Sequence, residues 1–317
     1  MTSYLIRRVG QAIAVVIGVM IVTFILIHLQ PGDVARSVLG FRATAARISI
    51  FDATYGLNHP LWRQFTDYVT QVFHGNLGTS MYQQQPVTSL FADRLPRDLF
   101  LLGTSTALAL LVSLPLGVYQ AVRRGGMGDN VLTGVTFTLY AMPAFWVAVM
   151  LVAAFAVQTH VFLPEAPSAT SIGGMLAQPR ELALPIITLV VIQIAGFSRY
   201  MRSSVIDTLA QDYLRVARAK GLPERLVLFR HVLRNSLLPI ITILGLSVPG
   251  LVTGAVVVEY VFNYKGMGDL IVTAAIAKDY PIVLGSTLLV GIATVLGNLA
   301  ADIAYGILDP RVRYVSS

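Results

Sequence analysis

The sequence contains no cysteine, which excludes disulfides, thiolate metal ligation and thiol catalysis. Charge is scarce as well. Only 23 Lys or Arg and 16 Asp or Glu occur in 317 residues, 12% of the chain against about a quarter in an average soluble domain. Lysine is confined to Lys220, Lys265 and Lys278, none followed by Ser or Thr, and no G-x-x-x-x-G-K-[ST] run is present, so the chain does not hydrolyse ATP through a phosphate loop. There is no H-E-x-x-H, and His28, His59, His74, His160 and His231 are scattered without metal-ligand spacing. Gly196-Phe197-Ser198-Arg199 is a poor match to a G-x-S-x-G nucleophile elbow. Intramembrane catalysis therefore has little to stand on.

What is present is apolar. A 55% hydrophobic content and a mean hydropathy of +0.70 exclude a disordered chain and set aside an ordinary water-soluble enzyme. A helix crossing a hydrocarbon layer of about 30 Å needs about 20 apolar residues. Six segments meet that test: Val9 to Leu29, Leu99 to Val122, Val131 to Val157, Leu184 to Met201, Leu237 to Val258 and Ile282 to Leu308. Pro31-Gly32-Asp33, Arg123-Arg124-Gly125-Gly126, Pro164 through Pro179, the charged run ending at Asn235, and Lys278-Asp279-Tyr280-Pro281 separate them. Arg7 and Arg8 precede a first run too long for a signal peptide, and no small-x-small cleavage site follows it, so that run reads as an uncleaved anchor.

The net charge of +7 needs a topological reading before any other. With both termini cytoplasmic, the inner side holds Arg7, Arg8, Arg123 and Arg124, eight basic residues between Arg199 and Arg234, and Arg311 with Arg313. Inner acids are fewer: Asp129, Asp207, Asp212, Glu224 and Asp309. Six spans with both ends inside satisfy the positive-inside rule. The outer Arg36, Arg42, Arg47, Arg63, Arg94 and Arg97 lie in a segment too long to obey it. The basic surplus then reflects topology, with no nucleic acid implied.

Two segments are too large to be connectors. In the external one, Leu61, Phe65, Tyr68, Val69 and Val72 form one face of an amphipathic helix. In the inner one, residues 199–235, basic residues alternate with apolar ones, and Gly221 and Pro223 end one helix and start another, a helix from Pro223 to Phe229. This helix–turn–helix reads either as a loop that fixes topology and touches anionic lipid or as a docking element for a cytosolic protein, since apolar residues mixed with Arg are what interface cores favour.

Asp302 is the one carboxylate well inside a span, with Asn298 and Tyr305 on the same helix face. It reads either as hydrogen-bonded to a neighbouring helix within the bundle or as the proton site of an ion-coupled carrier. Glu259 closes the fifth span, as a solvated helix end or as a gate or partner contact.

The string Asp212-Tyr213-Leu214-Arg215-Val216-Ala217-Arg218-Ala219-Lys220-Gly221-Leu222 and the later Arg230-His231-Val232-Leu233-Arg234-Asn235-Ser236-Leu237-Leu238-Pro239 resemble the coupling segment of ABC importer permeases of the dipeptide and oligopeptide type. Other strings fit the same subfamily: Pro31-Gly32-Asp33, Tyr55 through Leu61, Gly75 through Ser80, Val258 through Phe262, Lys265 through Leu270, and Leu308 through Tyr314. The resemblance covers nearly the whole chain and is to the first of two permease subunits. Of the general importer motif, Ala217, Gly221 and Leu233 match.

The resemblance implies an all-α membrane protein of the type I ABC importer permease fold, with six transmembrane helices and cytoplasmic termini. It implies an N-terminal helix over 1–30, an external segment over 31–97, a five-helix core over 98–308 and a tail over 309–317. The function implied is a permease subunit, itself no enzyme, for short peptides in a bacterial plasma membrane, on a scaffold that also serves nickel, glutathione or haem. The implied partners are a second homologous permease subunit, two ATPase subunits or one fused pair, an external solute-binding protein, peptide and membrane lipid. ATP and Mg would sit on partner subunits, with no cofactor on this chain. Coupling to the ATPases would fall to Arg215, Ala217, Arg218, Gly221, Leu222, Pro223, Glu224 and Arg225; pathway or gate candidates are Glu259, Asn298 and Asp302.

Overall fold

A computed structural model describes residues 2–167, 169 and 171–308. The terminal run from Asp309 onward, with Arg311 and Arg313, lies outside the described residues, as do the side chains of Arg7, Arg8 and Tyr305. The described chain is helical throughout, its extended pairing limited to one isolated antiparallel bridge between Thr79 and Pro86. The helices are α1 (Thr2–Leu29), α2 (Val34–Leu39), α3 (Ala45–Tyr55), α4 (Leu61–Phe73), α5 (Val87–Val122), α6 (Met127–Ala141), α7 (Ala144–Leu151), α8 (Ile172–Leu176) and α9 (Pro179–Leu209). They continue with α10 (Asp212–Ala219), α11 (Glu224–Leu226), α12 (Leu233–Ser236), α13 (Leu238–Thr253), α14 (Val256–Val261), α15 (Met267–Ala277) and α16 (Tyr280–Leu308). π-helical stretches extend α7 through Val152–Gln158 and join α11 to α12 through Val227–Val232.

Among the described residues four helices are long and apolar enough to span a membrane, five if the pair α6 and α7 is counted as one broken span. The described side chains of α1 add a shorter apolar helix from Ile13 to Leu29. The expected continuous span from Val131 to Val157 is corrected here. It bends by 103° at Met142-Pro143, because proline has no N–H to continue the ladder and forces Met142 into an extended conformation (φ −74°, ψ 131°). The fifth span is likewise interrupted at Gly254, whose φ of +73° cannot continue a helix.

The chain divides into two compact units. The first holds residues 1–98, 252–256 and 265–295. In it α1 to α4 close over a core of Phe24, Ile27, Val34, Phe51, Met81, Tyr280 and Leu284, against which Phe65 and Tyr68 of the α4 stripe pack. Burial pushes the Tyr68 phenol well above its ordinary pKa. The corner between α15 and α16 fixes the segment between α1 and α5. Asp279, fully buried, accepts from the Ser80 hydroxyl and from the backbone N–H groups of Met81 and Tyr82 at 3.1 Å each. Lys278, in the left-handed region, donates its ammonium to the Pro31 carbonyl.

The second unit holds residues 99–251, 257–264 and 296–317. Here α9 buries Leu184, Leu189, Ala195, Phe197, Met201 and Val205. Gly297 of α16 faces α13 so closely that a Cβ on it would stand 2.5 Å from the Gly245 carbonyl oxygen. That is the close backbone approach small residues permit between membrane helices.

Candidate functional site: the amphipathic coupling segment

The segment begins where α9 ends at Ala210 and Gln211 turns extended. Asp212 then occupies the first turn of α10, where a carboxylate opposes the positive end of the helix dipole. Leu214 and Ala217, three residues apart, are buried on one face, while Tyr213, Arg215 and Val216 are exposed on the other. Helix α10 stops through a complete Schellman arrangement. Gly221, at φ +76°, donates its N–H to the Arg218 carbonyl at 2.9 Å, and Leu222 donates to the Ala217 carbonyl at 3.4 Å. The apolar contact that accompanies this motif is present too, since Ala217 and Leu222 pack in one cluster.

Pro223 follows in an extended conformation (φ −64°, ψ 142°), and its carbonyl accepts from Leu226 at 2.9 Å and Val227 at 3.1 Å. It therefore caps the next helix from outside, where the sequence pattern places it inside the first turn. The expected short helix from Pro223 to Phe229 is also corrected: three α-helical residues give way to a π-helical stretch that runs on through α12. The wider turn has a clear packing consequence. Val227 and Val232, five residues apart, both face inward, joining Leu214, Ala217, Met201, Val205 and Ile240 in one buried cluster. Ser236, fully buried, adds hydrogen bonds to the Ser204 carbonyl (3.3 Å) and the Thr208 hydroxyl (3.0 Å).

With that face buried, the other is left to solvent. Phe229 is 67% exposed and Val216 54%, too much apolar surface to leave open on a charged segment without a use. Arg215, Arg225, Lys220 and Arg230 are exposed around them. Of the expected coupling residues, Ala217, Arg218, Gly221, Leu222, Pro223 and Glu224 come together at this one turn. Arg218 Nε bonds Glu224 Oε1 at 2.6 Å across it, and Arg215 pairs with Asp212 at 3.4 Å. Arg225 is exposed.

The pathway candidates sit elsewhere. Glu259 on α14 is 1% exposed, which overturns the solvated-end reading. Asp302 on α16 is exposed and Asn298 half-buried, so Asp302 is not enclosed by this chain's own helices. Two features escaped the sequence reading. One is the Asp279 anchor. The other is Asp129, buried, whose two carboxylate oxygens each accept from Arg202 at 2.8 Å. Both residues are separated from their partners by long stretches of chain, and no spacing rule joins them.

A helical chain with several apolar spans, presenting one amphipathic helix–turn–helix, is a polytopic membrane protein. It belongs to the family of binding-protein-dependent transport system inner membrane components, whose model matches residues 113–314; a second model, for the N-terminal part of the same membrane components, matches residues 1–102. The oligopeptide transport system permease protein AppB of Bacillus subtilis is 38% identical over 99% of this chain and 100% of its own length. The dipeptide transport system permease protein DppB of Escherichia coli is 35% identical over 99% of each chain. The glutathione transport system permease protein GsiC of Pectobacterium atrosepticum is 36% identical over 99% of this chain and 100% of its own. Family membership displaces the ion-coupled carrier built on Asp302.

Proposed function

We propose that this chain is the permease subunit of an ATP-driven importer of short peptides in a bacterial plasma membrane. The observation that carries the reading is near-complete, colinear similarity to AppB and DppB, whose names specify oligopeptide and dipeptide transport. GsiC supports a second reading, glutathione, itself a small peptide. In this proposal six helices cross the membrane with both termini cytoplasmic, the segment 31–97 lies outside, and a second permease subunit completes the pathway. An external solute-binding protein delivers peptide. Two ATPase subunits hold ATP and Mg and dock on residues 199–235.

The coupling role rests on the Gly221 turn. Gly221→Val places a branched side chain at φ +76°, which costs about 1 to 2 kcal/mol and tilts α10 against α11. In the reconstituted complex peptide-stimulated ATP hydrolysis is expected to fall at least tenfold while the subunits still co-purify. Unchanged stimulation sinks the coupling role. Uptake of di-, tri- and longer peptides, glutathione, nickel and haem by the same preparation decides the substrate.

A further inference from the structure

The cavity between α6 and α9 shares Arg199 and Arg202 with the start of the inner segment but none of the residues assigned to coupling, and its chemistry points to a different ligand. It encloses about 350 Å³ and is lined by Gln120, Arg124, Thr133, Thr136, Arg199 and Arg202 with a few apolar neighbours. Three guanidinium groups meet one carboxylate there, because Asp129 is committed to Arg202 through both oxygens. Arg124 and Arg199 have no carboxylate partner among the described residues. Arg199 lies over the Tyr140 ring at 4.3 Å, with Phe137 and Tyr200 at 5.8 and 5.9 Å, contacts that use ring faces and supply no acceptor to its N–H groups. Gln120 is 1% exposed, donates its amide to Thr133 at 3.3 Å, and leaves its side-chain oxygen without a partner within the chain. The site thus offers two unneutralised cations and one buried acceptor in want of a donor.

A ligand matching both is a phosphodiester that also carries a hydroxyl. Room for it exists, with waters at about 30 Å³ each to fill the remainder. The surroundings decide what the phosphodiester belongs to. Phe137, which lines the cavity, is 53% exposed, and α6 with α7 is apolar enough to be one broken membrane span. That apolar setting suits acyl chains continuing from the headgroup, and a soluble anion would gain nothing from it. We propose that this cavity binds the headgroup of a hydroxyl-bearing anionic phospholipid, with Arg124 and Arg199 on the phosphate and Gln120 accepting from the hydroxyl. Basic pockets between transmembrane helices recognise anionic headgroups in this way. The inference goes beyond the transport reading and is independent of which substrate is carried.

The test uses the full chain with its co-purifying subunits in nanodiscs of phosphatidylcholine containing graded phosphatidylglycerol, with retained lipid counted by native mass spectrometry. The double variant Arg124→Gln/Arg199→Gln is expected to retain phosphatidylglycerol roughly thirtyfold less well, at about a factor of five per cation. Arg123→Gln, whose guanidinium lies over Tyr119 instead, is expected to behave as wild type. Gln120→Leu is expected to abolish the preference for phosphatidylglycerol over phosphatidic acid by weakening retention of the former and leaving that of the latter unchanged. Retention by the double variant equal to wild type overturns the proposal. Displacement of the lipid by millimolar inorganic phosphate overturns it as well, since the site would then be one for soluble anions, and so does displacement by a dipeptide. Should the double variant fail to assemble, the wild-type melting temperature decides: a rise with phosphatidylglycerol content that Gln120→Leu reduces supports the site, and no rise overturns it.

Discussion

Residues 31–86 and residues 210–236 both join apolar helices through short helices and turns, yet they are held in opposite ways. The first segment is pinned by buried polar groups across long stretches of sequence: Asp279 holds Ser80, Met81 and Tyr82, and Lys278 holds the Pro31 carbonyl. Asp98, also fully buried, adds a bond from the Met267 N–H at the start of α15. In the second the holding force is apolar burial on one face, through Leu214, Ala217, Val227 and Val232, while its ion pairs are local and exposed. A buried carboxylate that accepts three hydrogen bonds fixes one arrangement, since any shift leaves donors unpaired at about 1 to 3 kcal/mol each. An apolar cluster under an exposed charged face fixes a position but leaves the face itself available. The first suits a rigid body, and the second leaves a surface open to contact.

The largest way to break this contrast is Asp279→Ala. Three donors would be left buried without an acceptor, and a loss of about 3 kcal/mol is expected. Limited proteolysis within residues 31–86 should accelerate and the melting temperature should fall, with Asp279→Asn recovering part of the loss. An unchanged cleavage rate would mean that the apolar core around Phe24 and Phe51 holds the segment unaided.

The next effect lies on the other side. Phe229→Ser removes an aromatic ring that is 67% exposed, so folding stability should move by less than about 0.5 kcal/mol. If the face docks an ATPase, the ring is a candidate anchor, and its loss should weaken retention of that subunit by about 2 kcal/mol, near thirtyfold. Pull-down at graded detergent and salt reads this directly. A variant that holds its partner as well as wild type shows that the interface core lies elsewhere on the segment.

These two regions also differ in how far the sequence exposed them. The helix–turn–helix was legible because its signals are local. Gly221 demands a left-handed residue, Pro223 demands an extended one, and Leu214 with Ala217 keeps helical spacing. The α4 stripe was legible for the same reason, and Phe65 and Tyr68 do pack on the core beneath it. Asp279 read only as part of a polar break, because the groups it holds lie about 200 positions earlier and no periodicity reports that distance. At Pro143 a proline within a span permits a kink, but its size was not legible. Hydropathy measures how apolar a run is and does not see direction, so a helix turning by 103° counts as one span. Glu259 shows a related limit: a carboxylate at a span end reads as solvated, and its burial depends on packing that the local sequence does not report.

The smallest predicted effect sharpens the comparison most, because it removes a charge pair rather than a packed group. Arg218 and Glu224 meet at 2.6 Å across the Gly221 turn, but their side chains are 41% and 70% exposed, so water already satisfies most of what each gains from the other. Arg218→Gln should therefore cost less than about 1 kcal/mol of stability, and less still at high salt. Stability alone cannot separate a structural pair from one that trades partners. If Arg218 leaves Glu224 for an acid on the docked subunit, Arg218→Gln should weaken docking, Glu224→Gln should strengthen it by freeing the arginine, and the double variant should match Arg218→Gln. Opposite signs for the two single variants would place this pair on the engaging face. Equal and small losses for both would make it a brace for the turn, leaving the apolar surface of Val216 and Phe229 to carry the contact.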